Sequence, residues 1–157
     1  MEIHNINPIY DKNSRVLILG SFPSVKSREQ QFFYGHPQNR FWKVISSLTN
    51  SEVPETVEDK KLLLLKNNIA VWDVIKSCDI IGSSDSSISN VVVNDIKGLL
   101  SKTDIKAIYT NGNKAHSLFT KYFGEELSAI KLPSTSPANA QYSLERLIEE
   151  WKIVLKK

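Results

Sequence analysis

Two stretches of the chain concentrate side chains whose types and spacing could do chemistry on a flat, polar ring. In the first, an aliphatic run ends in Gly20-Ser21-Phe22-Pro23-Ser24 and is followed by Phe32-Phe33-Tyr34-Gly35-His36-Pro37-Gln38-Asn39-Arg40-Phe41-Trp42. Aromatic rings grip a heterocycle by its face, whereas amide, imidazole and hydroxyl groups address its edge or a water beside it. Phe33 or Tyr34 is placed to stack on such a ring, the other joining the core with Phe41 and Trp42. The Asn39 amide cannot act as a general base at neutral pH, but its carbonyl can orient a water and its NH2 can hold a carbonyl of the ring. Its position just before a helical pattern also suits it to cap that helix. His36 either donates to the ring or is a turn histidine bonded to backbone. The second stretch is Leu132-Pro133-Ser134-Thr135-Ser136-Pro137-Ala138-Asn139-Ala140, a stiff loop whose hydroxyls and backbone suit phosphate, or a plain strand-to-helix connection.

Positioning these residues requires a sheet. Four short runs rich in Ile, Val or aromatic residues, at 16–19, 69–74, 105–110 and 129–132, read as strands bounded by polar or Gly/Pro residues. Helical periodicity falls between them, at 40–48, 57–66, 88–101, 114–123 and 143–155. Strand and helix in alternation predict an α/β chain, a three-layer α/β/α sandwich around a mainly parallel four-stranded sheet. Such sheets bind ligands outside the carboxyl ends of their strands. Those ends are 20–24, Asp73, Asn111-Gly112-Asn113 and 133–137, so both stretches should converge there, with Asp73 and the polar cluster Ser83-Ser84-Asp85-Ser86-Ser87 as possible walls or caps.

Composition narrows the classes. At 157 residues the chain is expected to form one domain spanning 1–157. A net charge of +3 permits a nucleic-acid partner without demanding one. The single cysteine, Cys78, excludes an internal disulfide and a cysteine-rich metal site, and fits a reducing compartment. No zinc spacing, phosphate loop with a lysine, or carboxylate pair suited to two metals is present, so no cofactor is expected. No apolar run is long enough to span a bilayer and the first residues lack a secretory signature, which points to a soluble, cytoplasmic protein. His4 and His116 read as positions without a site role.

The two stretches, in this order and at this length, resemble the uracil-DNA glycosylase superfamily. Asn39-Arg40-Phe41-Trp42-Lys43-Val44-Ile45 is similar to the mismatch-specific branch. The full segment from Gly35 to Trp42, with Gly20-Ser21-Phe22-Pro23-Ser24 before it and the 132–140 loop after it, is closer to the hypoxanthine-DNA glycosylase branch. Cleaving a base from its deoxyribose passes through an oxocarbenium-like sugar, so a catalyst stabilises that charge, places a water and eases departure of the base. In the superfamily the 20–24 loop supplies an Asp or Asn that holds the water. Here it offers Ser21 and Ser24 and no carboxylate, a departure from the uracil and mismatch branches. The resemblance to the hypoxanthine branch moves the catalytic role to Asn39, with His36 easing base departure and Ser21, Phe22, Phe33, Tyr34 and Asn113 lining the base. Asn113 matches the N1–H and O6 edge of hypoxanthine, or caps a helix. The resemblance further implies that the 132–140 loop pinches DNA. Ser24, Ser134, Thr135 and Ser136 would hold phosphate, and Pro137-Ala138 would form the wedge. The implied protein is a monomeric, monofunctional glycosylase acting on DNA that contains deaminated bases. A uracil or mismatch enzyme, and a nonenzymatic binder of damaged bases, are the alternatives.

Overall fold

The computed structural model describes residues 2–3 and 6–155. In chain order its strands are β1 (Glu2–Ile3), β2 (Val16–Gly20), β3 (Ile69–Asp73), β4 (Ile75–Asp79), β5 (Ser89–Val93), β6 (Ala107–Asn111) and β7 (Ile130–Leu132). Its α-helices are α1 (Val25–Gln30), α2 (Phe41–Leu48), α3 (Val57–Lys66), α4 (Ile96–Ser101), α5 (Asn113–Phe123) and α6 (Leu144–Trp151). The central sheet has the order β3-β2-β6-β7 and every pairing in it is parallel. All four strands expected from the sequence are found here.

Alternation along β2 explains the layers. Ile18 faces a core built around Phe41, Trp42, Leu147 and Trp151, while Leu17 and Leu19 face the opposite core with Val74, Ile96, Leu118 and Phe119. Successive side chains of a strand point to opposite faces, so a strand covered on both sides is apolar throughout. The fold is thus the three-layer sandwich that the pattern predicts. No helix among the described residues is long and apolar enough to cross a membrane.

The 88–101 segment differs from expectation. It divides into β5 and α4 because Val91, Val92 and Val93 favour an extended chain, and Asp95 then starts the helix by accepting the Gly98 N–H at 3.0 Å. β5 pairs antiparallel with β4, and β4 with β1, in a small second sheet. α1 was also not anticipated; Ser24 caps it by accepting the Ser27 N–H at 3.1 Å. His4 lies outside the described residues, and the His116 Nδ1 is hydrogen-bonded to Thr110 Oγ1 at 2.9 Å.

Register brings the strand ends together. Gly20 pairs with Asp73, and Asn111 with Leu132. Gly112 turns the chain from β6 into α5 with φ 98 and ψ 171, a region open essentially to glycine. A Cβ there would also lie 3.1 Å from Ser134 Cβ. Gly112→Ala should therefore lower the unfolding free energy by about 1–3 kcal/mol in denaturant melts, whereas an unchanged midpoint would show that the turn tolerates a side chain.

Candidate active site

At the carboxyl ends of the parallel strands lies a cavity of about 130 Å³. The 20–24 loop forms one side; Phe33, Tyr34 and Asn39 form the next; Ser134, Thr135 and Ser136 close it opposite; Asp73 and Asn111 lie at strand ends; and Ser83 and Asp85 contribute from the polar cluster. The two stretches singled out in the sequence do converge.

They are joined by a hydrogen-bonded chain. The Asn111 Nδ2 donates to Thr135 Oγ1 at 3.0 Å, the Thr135 hydroxyl donates to Asn39 Oδ1 at 2.8 Å, and the Phe41 N–H donates to the same oxygen at 2.9 Å. Thr135 N–H returns to Asn111 Oδ1 at 3.0 Å. Asn39 therefore does cap the start of α2, and both lone pairs of its carbonyl are engaged. The carbonyl is not available to orient a water; the NH2 is the group Asn39 offers to the cavity.

Arg40, which has no assigned role in the motif reading, fixes the same loop. Its backbone N–H donates to the Thr135 carbonyl at 3.0 Å, and its guanidinium donates to the carbonyls of Ser136 at 2.8 Å, Asn139 at 3.0 Å and Tyr142, with a longer bond from Nε to Thr135 at 3.5 Å. A planar fork of five donors can address this many carbonyls at once, and a lysine cannot. Trp151 Nε1 donates to the Pro133 carbonyl at 2.9 Å and anchors the loop's start.

Several expected roles change. Thr135 is completely buried and its hydroxyl both accepts and donates within the chain just described, so it is a strut and not a phosphate ligand. The Ser24 hydroxyl caps α1 and donates to Ser27 Oγ at 3.1 Å, leaving no proton for phosphate. Ser134 and Ser136 Oγ accept the N–H groups of Ser136 and Ala138 and keep their own protons to give. Pro137 and Ala138 are exposed at the loop's tip. His36 does not line the cavity; its Nδ1 accepts the Gln38 N–H at 3.1 Å, the turn arrangement that was the alternative to a catalytic one. Asn113 is exposed in an adjoining groove with Lys114 and Lys131, and Asn111 is the asparagine that reaches the cavity. Phe33 is buried, and the Tyr34 ring lies against Phe41 with centroids 4.0 Å apart and planes at 18°, so both form wall and neither is an open stacking platform.

Two carboxyls that motif reading left as wall or cap stand in the cavity. Ser21 Oγ donates to Asp85 Oδ1 at 3.1 Å, which restores a carboxylate beside the loop that lacks one. The protein around it pushes the Asp85 pKa up, with Ser21 and Lys114 pulling it down, although the residue is exposed at the rim. Asp73, 3% exposed, is pushed by burial from 3.8 to about 7. Burial, then the Asp73 carboxylate, raises the Tyr34 hydroxyl, with Asn111 opposing. The strand-end reading points to Asp73 and to the cluster that holds Asp85 as possible walls, and both line the cavity; the burial of the one and the Ser21 bond of the other depend on how the sheet packs.

The uracil DNA glycosylase superfamily model matches residues 8–155, and the chain belongs to that superfamily. It is 36% identical over 150 residues to a hypoxanthine DNA glycosylase of Methanosarcina acetivorans, covering 94% of each chain. It is 32% identical over 117 residues to one from Methanosarcina barkeri, covering 73% of this chain and 74% of the other. A solution NMR structure of a candidate uracil DNA glycosylase from Methanosarcina acetivorans superposes with a TM-score of 0.81 at 35% identity, over 97% of this chain and 95% of that one.

Arg40→Lys should cost about 2 kcal/mol of stability and speed hydrogen exchange across 134–142; unchanged exchange there would show that the guanidinium does not hold the loop. Asp73 binds its proton more tightly folded than unfolded, so its contribution to stability is present below about pH 4 and is lost as pH rises to about 7. Thermal melts of Asp73→Asn should lack that decline, and an identical pH profile in both proteins would contradict the raised pKa.

Proposed function

We propose that the protein is a monofunctional DNA glycosylase that extrudes a deaminated nucleotide, deoxyinosine first among them, and hydrolyses its N-glycosidic bond to leave an abasic site. The observation that carries this is the fixing of Asn39, whose carbonyl is held by Thr135 and the helix start, which leaves the NH2 as the group this cavity-lining residue has to offer a base. As the glycosidic bond breaks, negative charge accumulates on the departing base. A preorganised donor at a base carbonyl stabilises that charge where it develops. Holding the amide in one pose beforehand removes the cost of orienting it during the reaction. The family defines a DNA substrate, and the hypoxanthine preference is supported by the names of the Methanosarcina relatives and by the 20–24 loop.

The remaining parts have simple roles. Phe22 and Phe33 give the cavity apolar walls that exclude bulk water from the base. Ser21 and Asp85 line the cavity together, Asp85 being exposed, and their acceptor oxygens suit a positively charged sugar and an attacking water. Among the described residues no lysine lines the cavity, which favours hydrolysis without a Schiff base or backbone cleavage. Ser134 and Ser136 hydroxyls, with Lys114 and Lys131 in the adjoining groove, form the track for the phosphates, and the exposed Pro137-Ala138 tip enters the duplex beside it. Flipping costs a few kcal/mol and less at a mispair.

A single-turnover assay on end-labelled duplexes carrying inosine, uracil, xanthine or a T/G mispair tests the reading. Cleavage after alkali mainly at inosine is expected; cleavage mainly at uracil would move the enzyme to another base, and none at any would leave a binding protein. Asn39→Ala should fold and excise at least tenfold more slowly, a loss of about 1.4 kcal/mol of transition-state stabilisation or more.

A further inference from the structure

A flipped nucleotide has three parts to house. With the base in the cavity and phosphate along the adjoining groove of Lys114 and Lys131, the deoxyribose that links them must lie where cavity and groove meet. Four residues line both: Asp85, Asn111, Ser134 and Ser136. The Asn111 amide is tied at both ends to Thr135, and the two serines keep protons to donate. Asp85 is the one carboxylate of the four. Among the described residues Ser21 is the only hydrogen-bond partner of its side chain, so lone pairs remain on both oxygens for a ligand. Asp73 lines the cavity without the groove and Glu150 the groove without the cavity, so neither borders the junction.

The segment that carries Asp85 is held against the 20–24 loop and α1. Ser21 donates to the Asp85 carboxylate, the Val25 N–H donates to Ser83 Oγ at 3.0 Å, and Arg28 donates to the Gly82 carbonyl at 2.6 Å with its guanidinium 5.3 Å from the centre of the Phe22 ring. An anion held this way is in place before the reaction begins.

From this placement we infer that Asp85 is a catalytic residue, the anion that stabilises the oxocarbenium-like deoxyribose in place of a carboxylate from the 20–24 loop, an inference that rests on the glycosylase reading above. When the N-glycosidic bond breaks, its electron pair leaves with the base and positive charge is shared by C1′ and O4′ of the sugar. A fixed anion beside that sugar attracts it more strongly in the transition state than in the neutral ground state, and only such a difference lowers the barrier. Water then bonds to C1′ and gives up a proton while the base takes one up, so one water is consumed and Asp85 stays ionised throughout. Burial by the surrounding protein raises the Asp85 pKa, and the Ser21 hydroxyl and the Lys114 ammonium oppose it in favour of the charged form. A docked strand covers the exposed rim and strengthens the attraction by excluding water. Asn39 donates to the base on the other side of the same bond, so the two residues stabilise the opposite charges that its cleavage creates.

Binding to two otherwise identical duplexes tests this without relying on turnover. One carries a pyrrolidine in place of the deoxyribose, its protonated ring nitrogen mimicking the charge at C1′, and the other an uncharged tetrahydrofuran ring. Fluorescence anisotropy at about pH 7 should show the wild-type protein preferring the pyrrolidine roughly tenfold or more, and Asp85→Asn, which keeps the shape and the Ser21 bond, should cut the preference below about threefold. In single-turnover assays the variant should bind the inosine duplex as the wild type does and excise roughly tenfold more slowly or worse. Equal binding of the two rings by wild-type protein would overturn the inference even if the variant failed to fold. Full excision by Asp85→Asn would overturn it too, as would slow excision with the preference intact, the mark of a carboxylate acting on water. Release of hypoxanthine by wild-type protein alongside such results would sink this inference alone; no preference and no release would sink both readings.

Discussion

The site depends on one connection, the clamp that Asn39 and Arg40 make on the loop after β7. Adjacent residues act on it in different ways. Asn39 receives the Thr135 hydroxyl through its side chain, and Arg40 gathers backbone carbonyls of the same loop through its guanidinium and its own N–H. The loop would otherwise carry several unpaired carbonyls close to the interior, each costly to bury. Because a charged donor group satisfies them, the loop can be rigid without regular secondary structure. Its rigidity is then returned to Asn39 as a fixed amide orientation.

The glycines and the buried carboxyl show the same economy of space. Gly20 and Gly112 lie at the ends of neighbouring strands, and each admits a polar side chain from another element, Asp73 in one case and Ser134 in the other. Where glycine removes a side chain, a distant residue supplies the chemistry. A cavity beside a loop lacking any carboxylate thus holds two, buried Asp73 admitted by Gly20 and exposed Asp85 brought by the 80–87 loop. Keeping Asp73 in the interior lowers stability at neutral pH, as expected when a group is retained for what it does to a ligand.

The parallel sheet and most of the helices were legible because their signals are local. Apolar runs at 16–19 and 69–74 and the stripe at 57–66 state their period within a few residues, and the structure reproduces them. The 88–101 segment was misread since its valines fit either period, and only pairing with β4 makes them a strand. Asn39 and the 134–136 serines and threonine stood out through their motifs. Their division of labour did not, because whether a hydroxyl meets phosphate or a neighbouring amide is decided by what the fold sets beside it. Thr135 became a strut for that reason, His36 turned to its own backbone, and Asn111 took the place expected of Asn113. Arg40 stands inside the same motif, yet its role is not legible there, because its partners are carbonyls about a hundred residues away.

The account turns on which end of the Asn39 amide meets the substrate. A crystal structure with a duplex carrying 2′-fluoro-deoxyinosine would decide it. The clamp predicts an extrahelical base in the cavity with an acceptor atom at hydrogen-bond distance from Asn39 Nδ2, and the Thr135 hydroxyl still on Asn39 Oδ1. An Asn39 released from Thr135, with its carbonyl on a water or no contact to the base, would contradict the central claim.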